Sequence, residues 1–219
     1  MKKSIFLFFL AVFAMSYASV SYADSPLTST PFWQAYEDVK EVKHAKENGL
    51  DKKALKWILS DKIGCDVKLA MINSFGWESG YTQKFEDALI ENREGLTKDV
   101  FKYLKSEGED MPEETEQTRL LTTDDLVCWS YLRAMDNYNT PQYSMKGAFI
   151  AYWRDSKNMA SGVVWCLVVS QMHLFGDWCQ IYESGQTFIK NAKYENNLLK
   201  DEAVTIIMEY LNLYEQDCE

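Results

Sequence analysis

Apolar residues recur at three- and four-residue spacing along most of the chain, and the breaks fall on residues that start or stop helices. Phe32, Ala35, Tyr36, Val39 and Val42 open the series behind Thr30-Pro31, a cap followed by a first-turn proline, and Asn48-Gly49 closes it. Asp51 caps a second predicted helix, with Ala54, Leu55, Ile58 and Leu59 inward and an end near Gly64. Asp66 caps a third, lined by Val67, Ala70, Met71 and Phe75 before Gly76. A fourth follows Thr82 along Phe85, Ala88 and Leu89 to Gly95; a fifth follows Thr97 along Val100, Phe101 and Leu104 to Gly108. Thr122 or Thr123 caps a sixth, with Val127, Cys128, Tyr131, Leu132, Met135 and Tyr138 on its buried side. Thr140-Pro141 restarts the chain as a seventh that carries Met145, Ala148, Phe149, Tyr152 and Trp153. Trp178, Ile181, Tyr182, Gly185, Phe188 and Ile189 define a ninth, and Leu199, Ala203, Ile206, Ile207, Tyr210, Leu211 and Tyr214 a tenth.

The eighth segment, Ser161–Phe175, is different. It has no charge and is apolar at almost every position, so its neighbours are expected to cover it all round, with Val164, Leu167, Val168 and Met172 buried. It is too short and too polar, at Ser170, Gln171 and His173, to span a bilayer. Short connections make consecutive helices antiparallel. The pattern therefore predicts an all-α domain over residues 24–219, with about ten short antiparallel helices packed as hairpins around the buried helix 161–175. An irregular bundle and a short α-solenoid both fit. A faint echo between Trp57…Phe75-Gly76-Trp77 and Trp153…Phe175-Gly176-Asp177-Trp178 is the one hint of the solenoid.

Two stretches fall outside the helical pattern. Lys2-Lys3, the apolar run Ile5–Met15 and Ser21-Tyr22-Ala23 have the order of a secretory signal peptide, with cleavage expected after Ala23 and a periplasmic or secreted mature chain. Glu107–Glu116 carries six acids around Met111-Pro112, and a solvated acidic loop over 107–122 is expected between two helical halves. The full chain has a formal charge of −10, which becomes −12 once Lys2 and Lys3 are removed. Such a balance disfavours nucleic acid and anionic membrane surfaces as partners and suits a basic protein.

Candidate chemistry is sparse. His44 lies on the polar side of the first helix and His173 inside the apolar one; neither has a second His or a Cys one turn away, and nothing points to a metal or cofactor. No Ser or Cys sits in a nucleophile motif. Trp77-Glu78-Ser79-Gly80-Tyr81 resembles, over five residues, the catalytic Glu segment of lytic transglycosylases, where a carboxylic acid protonates the glycosidic oxygen. The Gly-Leu-Met-Gln type segment that shapes the cleft in that family does not follow here. Trp129, Tyr131, Tyr138, Tyr143, Tyr152, Trp153 and Trp165 crowd one span and are expected to be core, with Tyr138 and Tyr143 as the exposed exceptions and a possible binding surface. Of the five cysteines, Cys179 and Cys218 fall at one end of a predicted hairpin and are expected to pair; Cys128 could meet Cys166, and Cys65 is expected to be the lone thiol. The expected function is an exported, non-catalytic protein-binding or adaptor module, for instance an acidic inhibitor or immunity-type protein. The alternative is a cell-wall glycan-cleaving enzyme with Glu78 as general acid, and a helical accessory domain is a third reading.

Overall fold

The computed structural model describes residues 25–106 and 112–218, so the expected signal peptide lies outside the described residues. Within them the chain is all-helical. A 3-10 turn at Phe32–Tyr36 leads into α1 (Lys40–Asn48), α2 (Lys52–Ile58), α3 (Cys65–Ser74), α4 (Thr82–Asn92) and α5 (Lys98–Leu104). Then come α6 (Thr123–Asp136), α7 (Gln142–Arg154), α8 (Met159–His173), α9 (Cys179–Gly185) and α10 (Asp201–Leu211).

The helix starts follow from local chemistry. Asp51 Oδ1 accepts the N–H groups of Lys53 and Ala54, at 3.0 and 2.8 Å, donors that the first turn of α2 would otherwise leave unpaired. Thr122 and Asp125 form a reciprocal capping box at the head of α6. Gly49, at φ +64°, takes the left-handed conformation that ends α1.

Several boundaries differ from the pattern. The first predicted helix is broken, because Val39 is extended at φ −83°, ψ 121° and the Trp33 N–H donates to Asn73 Oδ1 (3.0 Å) on α3. Gly64, not Asp66, sits at the head of α3, and Asp66 lies in its first turn. The ninth segment widens after Gly185 into a π turn, Gln186–Lys190. The tenth begins at Asp201 and tightens into a 3-10 tail, Asn212–Asp217.

Helix α8 packs against α6, α7, α9 and the π turn, and touches α3. The first 3-10 turn packs on α10, where the Lys200 N–H donates to Tyr36 Oη (2.9 Å) and Lys200 Nζ meets Asp38 (2.8 Å). Solenoid units contact only their sequence neighbours. Contact between the first turn and the last helix is bundle behaviour.

The expectation that α8 is covered all round fails along one stripe. Val164, Leu167 and Val168 are buried, but Met172 is 39% exposed and Trp165 and Val169 are half-buried. These three positions recur at i, i+4 and i+7, on one side of the helix. Phe175, expected inside the helix, follows its end and is 76% exposed.

Buried charges join the helices. Glu86 accepts from Trp129 Nε1 (2.9 Å) and Lys105 Nζ (2.8 Å), and Arg93 forms a two-point pair with Asp125 at 2.8 and 2.9 Å. The acidic stretch expected as a free loop is only partly open to that description. Residues 107–111 lie outside the described residues, while 112–122 is anchored to α5 and its lead by Tyr103 and Gln117 and to the end of α7 by Arg154. Arg154 Nε donates to Glu114 Oε1 (2.8 Å), and its Nη atoms donate to the carbonyls of Thr118 (3.1 Å) and Leu121 (2.5 Å).

Candidate binding surface

Helices α7 and α8 pack as neighbours with small residues at their buried faces. Gly147, Ala148 and Ala151 of α7 are buried, and a Cβ on Gly147 would fall 2.8 Å from two ring carbons of Trp129 on α6. Close approach on the small-residue side turns the large side chains of α7 outward. Met145, Phe149 and Trp153, at i, i+4 and i+8, therefore face away from α6, and Phe149 meets Trp165 of α8.

The rings form a continuous chain. Phe149 stands 5.9 Å from Trp153 along α7 and 5.5 Å, edge on, from Trp165 across the helix pair. Trp165 reaches Phe188 of the π turn at 6.4 Å, and Phe188 reaches Tyr152 at 5.7 Å. Trp153 is 64% exposed and the other four rings are half-buried. The widened turn is held in place by Tyr194, whose Oη donates to the Phe188 carbonyl and packs over Gly162. Beyond Met172 the apolar surface runs into the bend after α8. There Trp178, 44% exposed, donates Nε1–H to the Leu174 carbonyl (2.7 Å) and packs edge-on against Tyr214.

Two cations beside this face have partners within the chain. Arg154 is committed to Glu114 and the linker carbonyls, and Lys146 Nζ donates to Ser106 Oγ (2.7 Å) and lies over the Tyr103 ring. The face is thus an apolar aromatic strip on a chain of strongly negative net charge.

The residues singled out in the sequence take other places. Tyr138 and Tyr143, expected to be exposed, are half-buried: Tyr138 packs against the core and Tyr143 lies 5.9 Å from the Arg133 guanidinium. Trp129 and Tyr131 are core, as expected, and burial pushes the Tyr131 hydroxyl well above the ordinary tyrosine range. Of Tyr152, Trp153 and Trp165, expected in the core, Trp153 is exposed and the other two are half-buried, as Tyr138 and Tyr143 are. The sizes of the α7 residues carried that signal, because the small ones mark the side of close approach.

Glu78 sits exposed on a loop with left-handed backbone, φ +53°. Its neighbour Asp136 is a structural latch: its carboxylate accepts from the hydroxyls of Ser79 (2.7 Å) and Thr82 (2.6 Å) and from the N–H groups of Gly80 and Thr82. A glycosidase needs its acid in a cleft with a second carboxylate free to act; here the adjacent carboxylate already receives four donors.

His44 bonds Asp51 Oδ2 at 3.0 Å and packs edge-on against Trp57. His173 is half-buried in the last turn of α8. Among the described residues no group of three or more His, Cys, Asp or Glu side chains is placed to hold a metal ion, and no helix is long and apolar enough to cross a membrane. Cys179 and Cys218 lie at disulfide distance, with their Cα atoms 4.7 Å apart, because α9 and the 3-10 tail run back alongside each other.

No family model, curated protein or solved structure matches this chain. The functional reading accordingly stands on the chain's own sequence and geometry.

Proposed function

We propose that the chain is an exported, non-catalytic protein-binding module whose α7–α8 face receives an amphipathic helix of a partner protein. The observation that carries this reading is the chain of five rings ending in the exposed Trp153. Contiguous apolar surface of this kind marks interaction sites, and Trp and Tyr are enriched at binding hot spots. Two neighbouring helices leave a furrow between their ridges, and helix-in-groove recognition uses anchors at the spacing of Met145, Phe149 and Trp153. The net charge of −12 after loss of the leader lysines would steer a basic partner toward the module. An acidic inhibitor or immunity-type protein set against a basic exported polypeptide is one concrete form. Export is supported by the basic, apolar, small-residue order of Met1–Ala23 and is compatible with the Cys179–Cys218 pair.

The test is affinity capture from an envelope extract with the mature chain and with Trp153→Asp, after circular dichroism has shown that both fold alike. Loss of a hot-spot ring should weaken capture of a basic polypeptide by about 10–30-fold. Equal capture by both chains would refute the reading. So would binding that the substitution abolishes toward lipid vesicles or toward a second copy of the chain instead.

A further inference from the structure

In the first half of the chain, α2 and α4 border an open groove of about 730 Å³. Its floor is apolar: Leu55 and Leu59 are half-buried there and Ala88 is buried. Its walls carry opposite charges. Lys52 and Lys56, one turn apart on α2, form one wall; Asp87 and Glu91, one turn apart on α4, form the other. Lys84, the remaining cation at the groove, donates Nζ–H to the Leu50 carbonyl.

The fold leaves the four wall charges over. All four side chains are exposed. Among the described residues Lys52, Lys56 and Glu91 make no side-chain hydrogen bond or ion pair, and Asp87 has only Gln83 Nε2 of its own helix, at 3.0 Å. The charge balance around the groove also differs from that of the whole chain. Residues 25–106 hold 13 Lys and Arg against 13 Asp and Glu, so the excess of negative charge lies elsewhere. Self-repulsion opposes association of a chain with this net charge, and it is weakest at a face built by the balanced half.

We propose that the groove is a homodimer interface, occupied by the same groove of a second copy of the chain. A two-fold axis along the groove lays α2 of each copy over α4 of the other. The lysine wall of each copy then faces the acid wall of its partner, which is the self-complementarity that an isologous contact requires. The four helices enclose Leu55, Leu59 and Ala88 of both copies as an apolar centre inside a charged rim. Burial of that centre supplies affinity, and the wall charges set the orientation. A second copy turned end for end would bring lysine to lysine and acid to acid. The inference is independent of the α7–α8 face and uses none of its residues.

The test is light scattering after size-exclusion chromatography, run on the mature chain over a series of concentrations. The expected mass at the higher concentrations is twice that of the chain. Two double variants reverse one wall each: Lys52→Glu with Lys56→Glu makes both walls acidic, and Asp87→Lys with Glu91→Lys makes both basic. The sites are exposed, and the changes at Lys52 in the first turn of α2 and Glu91 in the last turn of α4 run in the direction the helix dipole favours, so both variants should keep the circular dichroism of the parent. Each variant alone should dimerise about 100-fold more weakly, since like charges then face each other. Mixed one to one, the two should recover a dimer, because every acidic wall now meets a basic one. Trp153→Asp should dimerise like the parent. A parent that stays monomeric throughout the series, a dimer that survives reversal of either wall, a mixture that stays monomeric, or a dimer lost with Trp153→Asp would each overturn the proposal.

Discussion

Replacing Gly147 by alanine sets two effects of known sign against each other. In a helix interior, Gly→Ala is favourable by about 1 kcal/mol from backbone entropy alone. At Gly147 the new methyl would lie 2.8 Å from two ring carbons of Trp129 and closer still to Ser130 Oγ. The hydroxyl can rotate away, but the indole cannot follow. It is fully buried, bonded through Nε1 to Glu86 at 2.9 Å, and packed 6.0 Å from the Phe101 ring. Overpacking of this kind costs about 1–3 kcal/mol, and more where rigid groups cannot shift. The overlap with a fixed ring belongs in the upper part of that range, so the net effect is a loss of about 1–2 kcal/mol. With a urea slope of about 2 kcal/mol/M, the unfolding midpoint should fall by about 0.5–1 M at unchanged slope. Gly176→Ala, in the bend after α8 where nothing lies within 4 Å of the added Cβ, controls for an unhindered methyl outside a helix. If Gly147→Ala proves more stable than the parent, α6 and α7 do not approach as closely as described, and the reason given for the outward rings of α7 fails with it.

Two further outcomes follow from the same packing and electrostatics. Leu167→Ala should cost about 2–5 kcal/mol through lost transfer energy and a cavity, whereas Met172→Ala, on the open stripe of the same helix, should stay within about 0.5 kcal/mol; urea titration of both would expose an error in the assignment of the two faces. The Arg154 guanidinium, by hydrogen bond and charge and helped by Arg119, holds the Glu114 carboxyl below its ordinary range against a smaller opposing push from burial. Its stabilisation is therefore present above the ordinary carboxylate pKa near 4.5 and is lost as pH falls through the lower folded-state value; Glu114→Gln should flatten that part of the acid limb in thermal melts, and an unchanged limb would show that the linker is not held by this pair.

What the sequence reveals about this chain is mostly what short-range chemistry decides. The Asp51 cap, the Thr122 box and the glycine stops read correctly because each depends on groups within four residues. The break at Val39 does not, since the turn before it is tied through Trp33 to Asn73, forty positions beyond Trp33 on α3. The anchoring of residues 112–122 hides for the same reason. Glu114 reads as one more acid in a charged run until Arg154 is seen to reach back across α7.

The face of α7 is the instructive case, because its apolar residues do not by themselves say which side points inward. Phe149, Tyr152 and Trp153 look like core material beside Ala148, and hydrophobicity alone ranks the rings first. Packing reverses the order. Helices come together most closely where side chains are smallest, and Gly147, Ala148 and Ala151 let α7 lie against Trp129 and Ser130 with no gap to fill. Other contacts in the same half repeat the device: Gly162 lies under the Tyr194 hydroxyl, and a Cβ on Gly185 would be 3.0 Å from Leu211. Once the small residues take the inner side, the rings must find partners elsewhere. They find each other, across α7, α8 and the π turn, but Trp153 remains more than half in solvent. The residue pattern that builds the closest helix contact thus also puts the rings of the binding surface on the outside, and Gly147→Ala would disturb both at once.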